Sequence, residues 1–253
     1  MQQPIYLART LLQWLFLGIL LCSANIGVAQ EKTYRVALIS NSPPLSYTDA
    51  AGKFTGFNVE MAHELCATMK IRCSQVPMPI DQIIEAAATD QVDFAVVGFL
   101  PNAERRMRVL FSKEYFRSFS VWLARPSVAM GDSRNTVAVI RGSAQAAYVQ
   151  SKGWKHVPVS NQMEMTSLLA ALGADAAVLP MLSGLSMIQE KSLRSLKLQS
   201  TVISDPPMNG TLHMVVNPKQ PELAERVNAA IDQVKRDGRF NRINLQFVPF
   251  SLQ

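Results

Sequence analysis

The sequence predicts an α/β fold with two lobes, each a mostly parallel sheet flanked by helices, and a repeated pattern supports this. A helix rich in Ala and Leu, a turn, an aspartate and a short apolar strand follow one another around Asp93, in "IDQIIEAAATDQVDFAVVGF". The same order recurs around Asp175, in "MEMTSLLAALGADAAVLPM". Helix followed by strand, repeated along a chain, is typical of parallel α/β sheets. Because the two copies lie far apart in the sequence, we predict two lobes rather than one.

The first 29 residues predict a secretory signal peptide, because Arg9 is their only charged residue and precedes a short apolar run. Small residues follow this run, and we expect cleavage after Ala29. A lipid anchor on Cys22 is the less favoured alternative, since Leu21 stands where such sites usually carry a small residue. We therefore expect an exported, periplasmic protein whose mature chain is long enough for one large or two small domains.

The composition argues against several classes of function. The net charge of +6 at pH 7 is modest and dispersed, without a long basic run, so nucleic acid is not an expected partner. The chain has no metal-ligand cluster, phosphate-binding loop or G-x-S-x-G elbow. We expect no metal and no cofactor.

The elements before the first repeat are a strand, a turn, a helix and a second strand. "YRVALIS" is apolar and β-branched and ends at the breakers "NSPP", which predicts a buried strand over 34–40. Gly52 permits a hairpin-like turn. Apolar residues at helical spacing then predict an amphipathic helix from about Asn58 to Met69, and "IRCSQVPM" resumes an extended segment.

Cys66 and Cys73 are the two cysteines left after signal cleavage. On an unbroken helix, seven residues rise roughly 10.5 Å, beyond the Cα separation of about 7 Å that a disulfide can bridge. An exported protein favours a disulfide over buried free thiols, which is the alternative. A bond therefore requires the helix to end near Lys70 and the chain to reverse.

Strands and helices also alternate through the rest of the chain. Strands are predicted in "SFSVWLARPSV", "NTVAVI" and "GTLHMVVN", and helices in "GSAQAAYVQ" and "PELAERVNAAIDQVKRDGRF". In open parallel sheets, ligands lie beyond the carboxyl ends of the strands, so two facing lobes would form a cleft there. The strand ends predict its lining at 41–42, 98–100, 142–145 and 180–182.

Several segments carry a family resemblance, above all "GFNVEMAHEL" and "GFLPNAERRMRVLFSKEYF", with "GSAQ", "GADAAV" and "DGRFNRI" in the same order. From Tyr34 to about Phe247 the chain resembles the periplasmic solute-binding proteins of polar amino acid ABC transporters. The resemblance implies the type II periplasmic binding fold, with two lobes joined by two crossover strands. The spacing of Cys66 and Cys73 is similar to that of the histidine- and lysine/arginine/ornithine-binding members, in which the pair is disulfide-bonded.

The resemblance also implies how the lobes divide and what they do. Lobe 1 would comprise 31–116 and 211–253, and lobe 2 would comprise 117–210. The implied function is capture of a small anionic ligand by hinge closure, by a monomer that delivers it to an inner-membrane ABC permease or to a membrane receptor.

Two anchors for the ligand follow from the matched motifs. Arg105 matches the arginine that holds the ligand's α-carboxylate, and a guanidinium can do so through two parallel hydrogen bonds. The alternative is that Arg105 belongs to a solvated basic face. The second anchor is a helix start, where N–H groups near Ser143, Ala144 and Gln145 would face the anion; the alternative there is an ordinary serine N-cap.

The departures from the family pattern concern the ligand's identity. Pro180 stands where members place an aspartate that holds the ligand's ammonium. Ser42 and Ile80 replace two aromatic positions, and Leu100 replaces a small polar residue after Gly98 and Phe99. With Met181, these residues predict an apolar cleft with one strong cation, suited to a small carboxylate with an apolar body or to an amino acid derivative without the usual amine. Ordinary core packing of this apolar set is the alternative.

We expect a binding protein rather than an enzyme. Some relatives of this fold are cyclohexadienyl dehydratases, which need an acid or base within reach of the substrate. None of the predicted cleft positions is His, Asp, Glu, Lys or Cys, and His63, His156 and His213 are expected to be surface or packed residues. A dehydratase-like enzyme and a sensory or accessory binding protein without a transporter remain the alternatives.

Overall fold

Strands and helices alternate along the computed structural model, which describes residues 32–248 and 250–252. The predicted signal peptide lies outside the described residues. The strands are β1 (Thr33–Ile39), β2 (Tyr47–Thr48), β3 (Phe54–Thr55), β4 (Arg72–Met78), β5 (Phe94–Phe99), β6 (Leu110–Ala124), β7 (Val137–Ile140), β8 (His156–Val159), β9 (Ala176–Pro180), β10 (Gln199–Val202) and β11 (Asn209–Val216). The α-helices are α1 (Phe57–Met69), α2 (Ile80–Ala88), α3 (Ala103–Arg106), α4 (Ala144–Ser151), α5 (Gln162–Ala170), α6 (Met181–Ile188), α7 (Pro221–Arg236) and α8 (Arg239–Phe247). Two 3-10 helices cover Lys191–Leu196 and Pro206–Met208.

Strand β6 connects the two halves of the main sheet, whose order is β4-β1-β5-β11-β6-β9-β7-β8, with β10 beside β6. Its residues 110–119 pair with β11 and its residues 120–124 pair with β9, both antiparallel. Strands β4, β1 and β5 run parallel in the first half, as do β8, β7 and β9 in the second. This is the predicted α/β fold, with two mostly parallel sets of strands flanked by helices.

The predicted lobe limits fall within this connection, along β6 and at the start of β11. From Thr33 onward the described residues form one compact unit. The division into 31–116 with 211–253 and 117–210 therefore stays a prediction.

An aromatic cluster fills the core between helices α1 and α8 and the sheet. The ring of Phe57 stacks on Tyr115 at 5.7 Å and meets Phe240 edge-on at 5.5 Å. All three residues have no exposed surface. Such ring pairs contribute about 0.5–1.5 kcal/mol each beyond the burial of apolar area, so this cluster fixes α1 and α8 on the first half of the sheet.

The reversal between helix α1 and strand β4 brings the two cysteines together. Lys70 ends the helix in the left-handed region, at φ 53°, and the N–H of Ile71 donates to the carbonyl of Cys66. Cys73 then lies on β4, with its Cα 6.3 Å from that of Cys66, and the two sulfurs are bonded. The predicted disulfide is confirmed, and so is the helix end near Lys70.

The aspartate in each copy of the sequence repeat ties two parallel strands together. Asp93, before β5, accepts hydrogen bonds from the backbone N–H of Arg35 at 2.7 Å and from its guanidinium. Asp175, before β9, likewise accepts from the backbone N–H of Thr136 at 2.9 Å. In both copies the aspartate's own N–H donates back to the same residue. The repeat therefore aligns β1 with β5 and β7 with β9, which places their carboxyl ends side by side.

The buried Asp93 carboxylate makes the fold sensitive to acid. Burial alone would raise the pKa of Asp93, but hydrogen bonds from Arg35 and Gln220 and the charge of Arg35 outweigh it and lower the pKa to about 2. An unfolded aspartate titrates near a pKa of about 3.9. The stabilisation is therefore present above about pH 4 and is lost as the pH falls through about 2.

Replacing the cysteines, Cys66→Ser with Cys73→Ser, should lower the free energy of unfolding by about 2 kcal/mol, because the cross-link restricts the unfolded chain. Urea unfolding measures this change, and a reductant should shift the wild-type curve by a similar amount. A wild-type curve that does not move under reductant would contradict the disulfide.

The variant Asp93→Asn should lose about 1–2 kcal/mol of unfolding free energy at pH 7, because the charged hydrogen bonds to Arg35 are removed. The difference from the wild type should shrink steadily between pH 4 and pH 2.5 in urea unfolding series. The exposed Glu225→Gln is the control and should show no such convergence. A difference that stays constant with pH would rule out the titration of Asp93 as the cause.

Candidate functional site

A cavity that opens to solvent lies at the carboxyl ends of the parallel strands in both halves of the sheet. All ten residues predicted as ligand-binding line it: Ser42, Ile80, Gly98, Phe99, Leu100, Arg105, Ser143, Ala144, Gln145 and Pro180. The alignment of the strands by the repeated aspartates accounts for their meeting. That these residues bind a ligand stays a prediction.

The rest of the lining is neutral, and most of it is apolar. The apolar residues are Ile39, Leu45, Phe116, Ile140, Val178, Leu179, Leu182, Met208 and Leu212. The polar ones are Ser118, Ser120, Asn161, Gln162 and Ser183. The expectation for Met181 was wrong: it packs against the core of the second half, because neighbouring residues of helix α6 point in different directions and it is Leu182 that faces the cavity.

Two groups of lining residues were missed in the sequence. Phe116, Ser118 and Ser120 alternate along β6, and a period of two places them on one face of the strand; this pattern is visible in "FRSFS". Asn161 and Gln162 follow β8, a four-residue strand that contains Pro158 and carries little strand signal.

The guanidinium of Arg105 spans the cavity between the two halves. It donates one hydrogen bond to the carbonyl of Leu100 and another to the carbonyl of Gly142, both at 2.9 Å. Its carbon lies 4.9 Å from the centre of the Phe99 ring. The neighbouring Arg106 is exposed, whereas Arg105 is half-buried, so Arg105 is separated from the basic face of this turn.

Burial lowers the pKa of Arg105, and the nearby Glu104 carboxylate acts in the opposite direction. A guanidinium stays protonated at all physiological pH values. The two carbonyls occupy two of its five N–H donors. The cavity therefore contains a permanent positive charge that is partly desolvated and has donors left for an anion.

The start of helix α4 carries an ordinary serine cap, as the alternative held. The Ser143 hydroxyl accepts from the N–H of Ala146 at 3.0 Å, while its own N–H donates to Ile140. The N–H groups of Ala144 and Gln145, in the first turn, have no acceptor inside the helix. The cap and an anion site at this helix start are compatible with each other.

A close backbone contact joins the two halves beside Arg105. Gly142 has φ +73°, and a Cβ built there would lie 2.6 Å from the Asp81 Cβ and 2.7 Å from the Asp81 Cα. Arg141 is 3.7 Å from the Asp81 carboxylate. Only a glycine allows this approach.

The three histidines are not among the lining residues of the cavity. The ring nitrogens of His213 lie 2.8 Å from the Ser112 carbonyl and 3.0 Å from the Thr211 hydroxyl, and its ring meets Phe111 edge-on. His63 contacts Gln75, and His156 contacts the carbonyl of Trp154. Within the described ranges, no three His, Cys, Asp or Glu side chains are clustered so as to hold a metal ion.

The arrangement of two α/β halves around one cavity agrees with a match to a family model. The model for bacterial extracellular solute-binding proteins, family 3, matches residues 34–250. The chain belongs to this family. The match spans both halves of the sheet and every residue that lines the cavity.

Several named members of the family are similar in sequence. The lysine/arginine/ornithine-binding periplasmic protein of Escherichia coli K12 is 23% identical over 241 residues, which is 91% of this chain and 93% of that protein. The histidine-binding periplasmic protein of Salmonella typhimurium LT2 is 21% identical over 221 residues, 83% of this chain and 85% of that protein. In the part of the chain that the structure describes, no helix is long and apolar enough to span a membrane.

Solved structures of similar proteins share the fold. An ancestral arginine-binding protein bound to glutamine superposes with a TM-score of 0.76 at 23% identity, over 85% of this chain and 97% of that one. An ancestral amino acid-binding protein described as a precursor of cyclohexadienyl dehydratase superposes with a TM-score of 0.74, also at 23% identity, over 85% of this chain and 95% of that one. The type II periplasmic binding fold is thereby established for this family member.

The substitution Gly142→Ala should separate the two halves, because its Cβ would overlap the backbone of Asp81. We expect a loss of unfolding free energy at least twice that of Gly153→Ala, or a larger radius of gyration in small-angle X-ray scattering. Gly153, at φ +67° with nothing within 4 Å of its Cβ position, is the matched control for backbone strain alone, worth about 1–2 kcal/mol. Equal effects of the two substitutions would exclude a close contact at Gly142.

Proposed function

We propose that the protein is a periplasmic solute-binding protein that captures a small carboxylate with an apolar body. The observation that carries this proposal is the charge of the cavity: of the described residues that line it, Arg105 is the one with an ionisable side chain. Arg105 is half-buried and the lining offers no carboxylate to pair with it, so an anion that enters this cavity gains a strong partner. The family membership and the periplasmic relatives support export and binding.

The lining suggests which residues would hold the ligand's carboxylate and which would contact its apolar body. The donors that remain on Arg105 and the first-turn N–H groups of helix α4 would hold the carboxylate. Ile80, Phe99 and Leu100 would surround an apolar body. Pro180 offers no carboxylate for an ammonium, in contrast to the aspartate expected in the family.

Hinge closure is the mechanism that this arrangement supports. A ligand held by Arg105 from one side and by helix α4 from the other would bridge the proposed lobes, 31–116 with 211–253 and 117–210. Binding would then shift the population toward the closed form. The crossover along β6 would be the hinge.

Delivery to an ABC permease is the proposed role of the closed form. One relative in Escherichia coli K12, 22% identical, is named ABC transporter arginine-binding protein 1, and we extend the association with a transporter to this chain. A monomer that reports to a membrane receptor instead is the alternative within the same class. Deletion of the gene distinguishes the two roles. If the protein serves a transporter, the deletion should abolish uptake of the ligand.

An enzyme is the second candidate, since one structural neighbour is described as a dehydratase precursor. The lining residues within the described ranges include no His, Asp, Glu, Lys, Cys or Tyr that could act as an acid or base. Turnover of prephenate or arogenate by the purified protein would establish the enzyme instead.

The substitution Arg105→Ala should weaken binding at least tenfold, because the charged hydrogen bonds to the carboxylate are lost. A thermal-shift screen over amino acids, keto acids, aromatic acids and small dicarboxylates supplies the ligand, and calorimetry measures the affinity. Arg106→Ala, at the exposed neighbour whose guanidinium lies over Phe111, is the control. Equal affinity of the wild type and Arg105→Ala would refute the proposal.

A further inference from the structure

The side chain of Gln162 carries an unused hydrogen-bond acceptor in the cavity lining. Gln162 is the first residue of helix α5 and follows the N-cap Asn161. It is 2% exposed, and its Oε1 atom has no hydrogen-bond partner among the described residues. An acceptor in this state has lost its hydration without a replacement, so a donor on a bound molecule would recover that loss.

Two other buried polar atoms without a partner have a different setting. In Asn58, the Oδ1 atom accepts from the Tyr115 hydroxyl and only Nδ2 is unpaired. In Asn244, the Nδ2 atom donates to Phe250 and only Oδ1 is unpaired. Neither residue lines the cavity. Of these three residues, Gln162 alone lines the cavity.

The charge balance of the cavity restricts the donor that Gln162 can accept. A carboxylate would neutralise Arg105, whereas an ammonium on the same ligand would return an uncompensated positive charge to a site with neutral acceptors only. Burying such an ion without a partner is unfavourable. A neutral O–H or amide N–H satisfies Oε1 without adding charge.

We propose that the ligand is a carboxylate that carries a neutral hydrogen-bond donor, and that Gln162 Oε1 accepts this donor. The inference rests on the proposed function, in which Arg105 holds the carboxylate. It assigns Gln162 as the residue that accepts the ligand's donor, while the cavity's lack of an acidic residue disfavours an ammonium in that place. The chemical class comprises hydroxy acids and N-acylated amino acids with an apolar side chain.

Four compounds that share one apolar body test the assignment: phenylalanine, 3-phenyllactate, N-acetylphenylalanine and 3-phenylpropanoate. Calorimetry with the wild type at pH 7 should show at least tenfold tighter binding of 3-phenyllactate or N-acetylphenylalanine than of phenylalanine. 3-Phenylpropanoate has the carboxylate without the donor and should bind at least fivefold more weakly than the tighter of the two. The two donor compounds distinguish a hydroxyl from an amide.

Two substitutions connect this preference to Gln162. Gln162→Met keeps the side-chain volume but lacks a comparable acceptor. It should lower the affinity for the tighter of 3-phenyllactate and N-acetylphenylalanine at least fivefold, while the affinity for 3-phenylpropanoate stays within twofold of the wild type. Gln162→Glu adds a carboxylate, and it should raise the affinity for phenylalanine relative to that for the tighter donor compound at least tenfold. Gln150→Met, at an exposed position of helix α4, is the control and should change neither ratio.

The outcomes separate this inference from the proposed function. If phenylalanine binds as tightly as the donor compounds, or if neither Gln162 variant changes a ratio, the inference is overturned, while a loss of binding in Arg105→Ala still supports the proposed function. If none of the four compounds binds, the inference is overturned. If the wider carboxylate screen also yields no ligand, the proposed function fails with it. Where Gln162→Met does not fold, the ratios in Gln162→Glu decide.

Discussion

The positive charge of Arg105, held by hydrogen bonds to two backbone carbonyls, is the interaction on which the cavity depends. The Leu100 carbonyl lies in the first half and the Gly142 carbonyl in the second, so one side chain touches both. Carbonyl dipoles partly replace the lost hydration but do not neutralise the ion. Because every other lining residue within the described ranges is neutral, the electrostatics of the whole cavity depend on this guanidinium.

The position of that charge depends in turn on the sheet. The repeated aspartates pin each central parallel strand to its neighbour, and the resulting strand ends carry the loops that contain Leu100 and Gly142. Rigid strands below a cavity hold its lining residues more accurately than loops alone could do. Gly142 then permits its loop to approach the first turn of helix α2, at Asp81, within contact distance. Fold and site are thus connected through a small number of backbone interactions.

Much of the fold and most of the site follow from the sequence, because both depend on local patterns. The helix-turn-Asp-strand repeat predicts the parallel sheet, and the rule of strand carboxyl ends accounts for eight of the ten predicted residues that line the cavity. The other two, Ile80 and Arg105, were predicted from the family resemblance. Asn161 and Gln162 were not predicted, because the strand before them, β8, has four residues including Pro158 and lacks a periodic signal. The hydrogen bonds of Arg105 and the unpaired Oε1 of Gln162 arise from contacts between distant segments, which no local pattern encodes. Met181 was misplaced because a strand-end rule cannot tell which side of the following helix turn faces the cavity.

The strand order has a consequence for the protein at high concentration. Strands β4 and β8 are the two ends of the order, and each contains a proline, Pro77 and Pro158. The carbonyls of Met78 and Val159 accept hydrogen bonds from backbone N–H groups on the inner side of the sheet. The backbone nitrogen of each proline, one residue earlier, therefore faces the outer edge. A proline has no N–H to offer to an incoming strand. These two edges are therefore poor templates for a second copy, which opposes aggregation by strand addition there at high concentration.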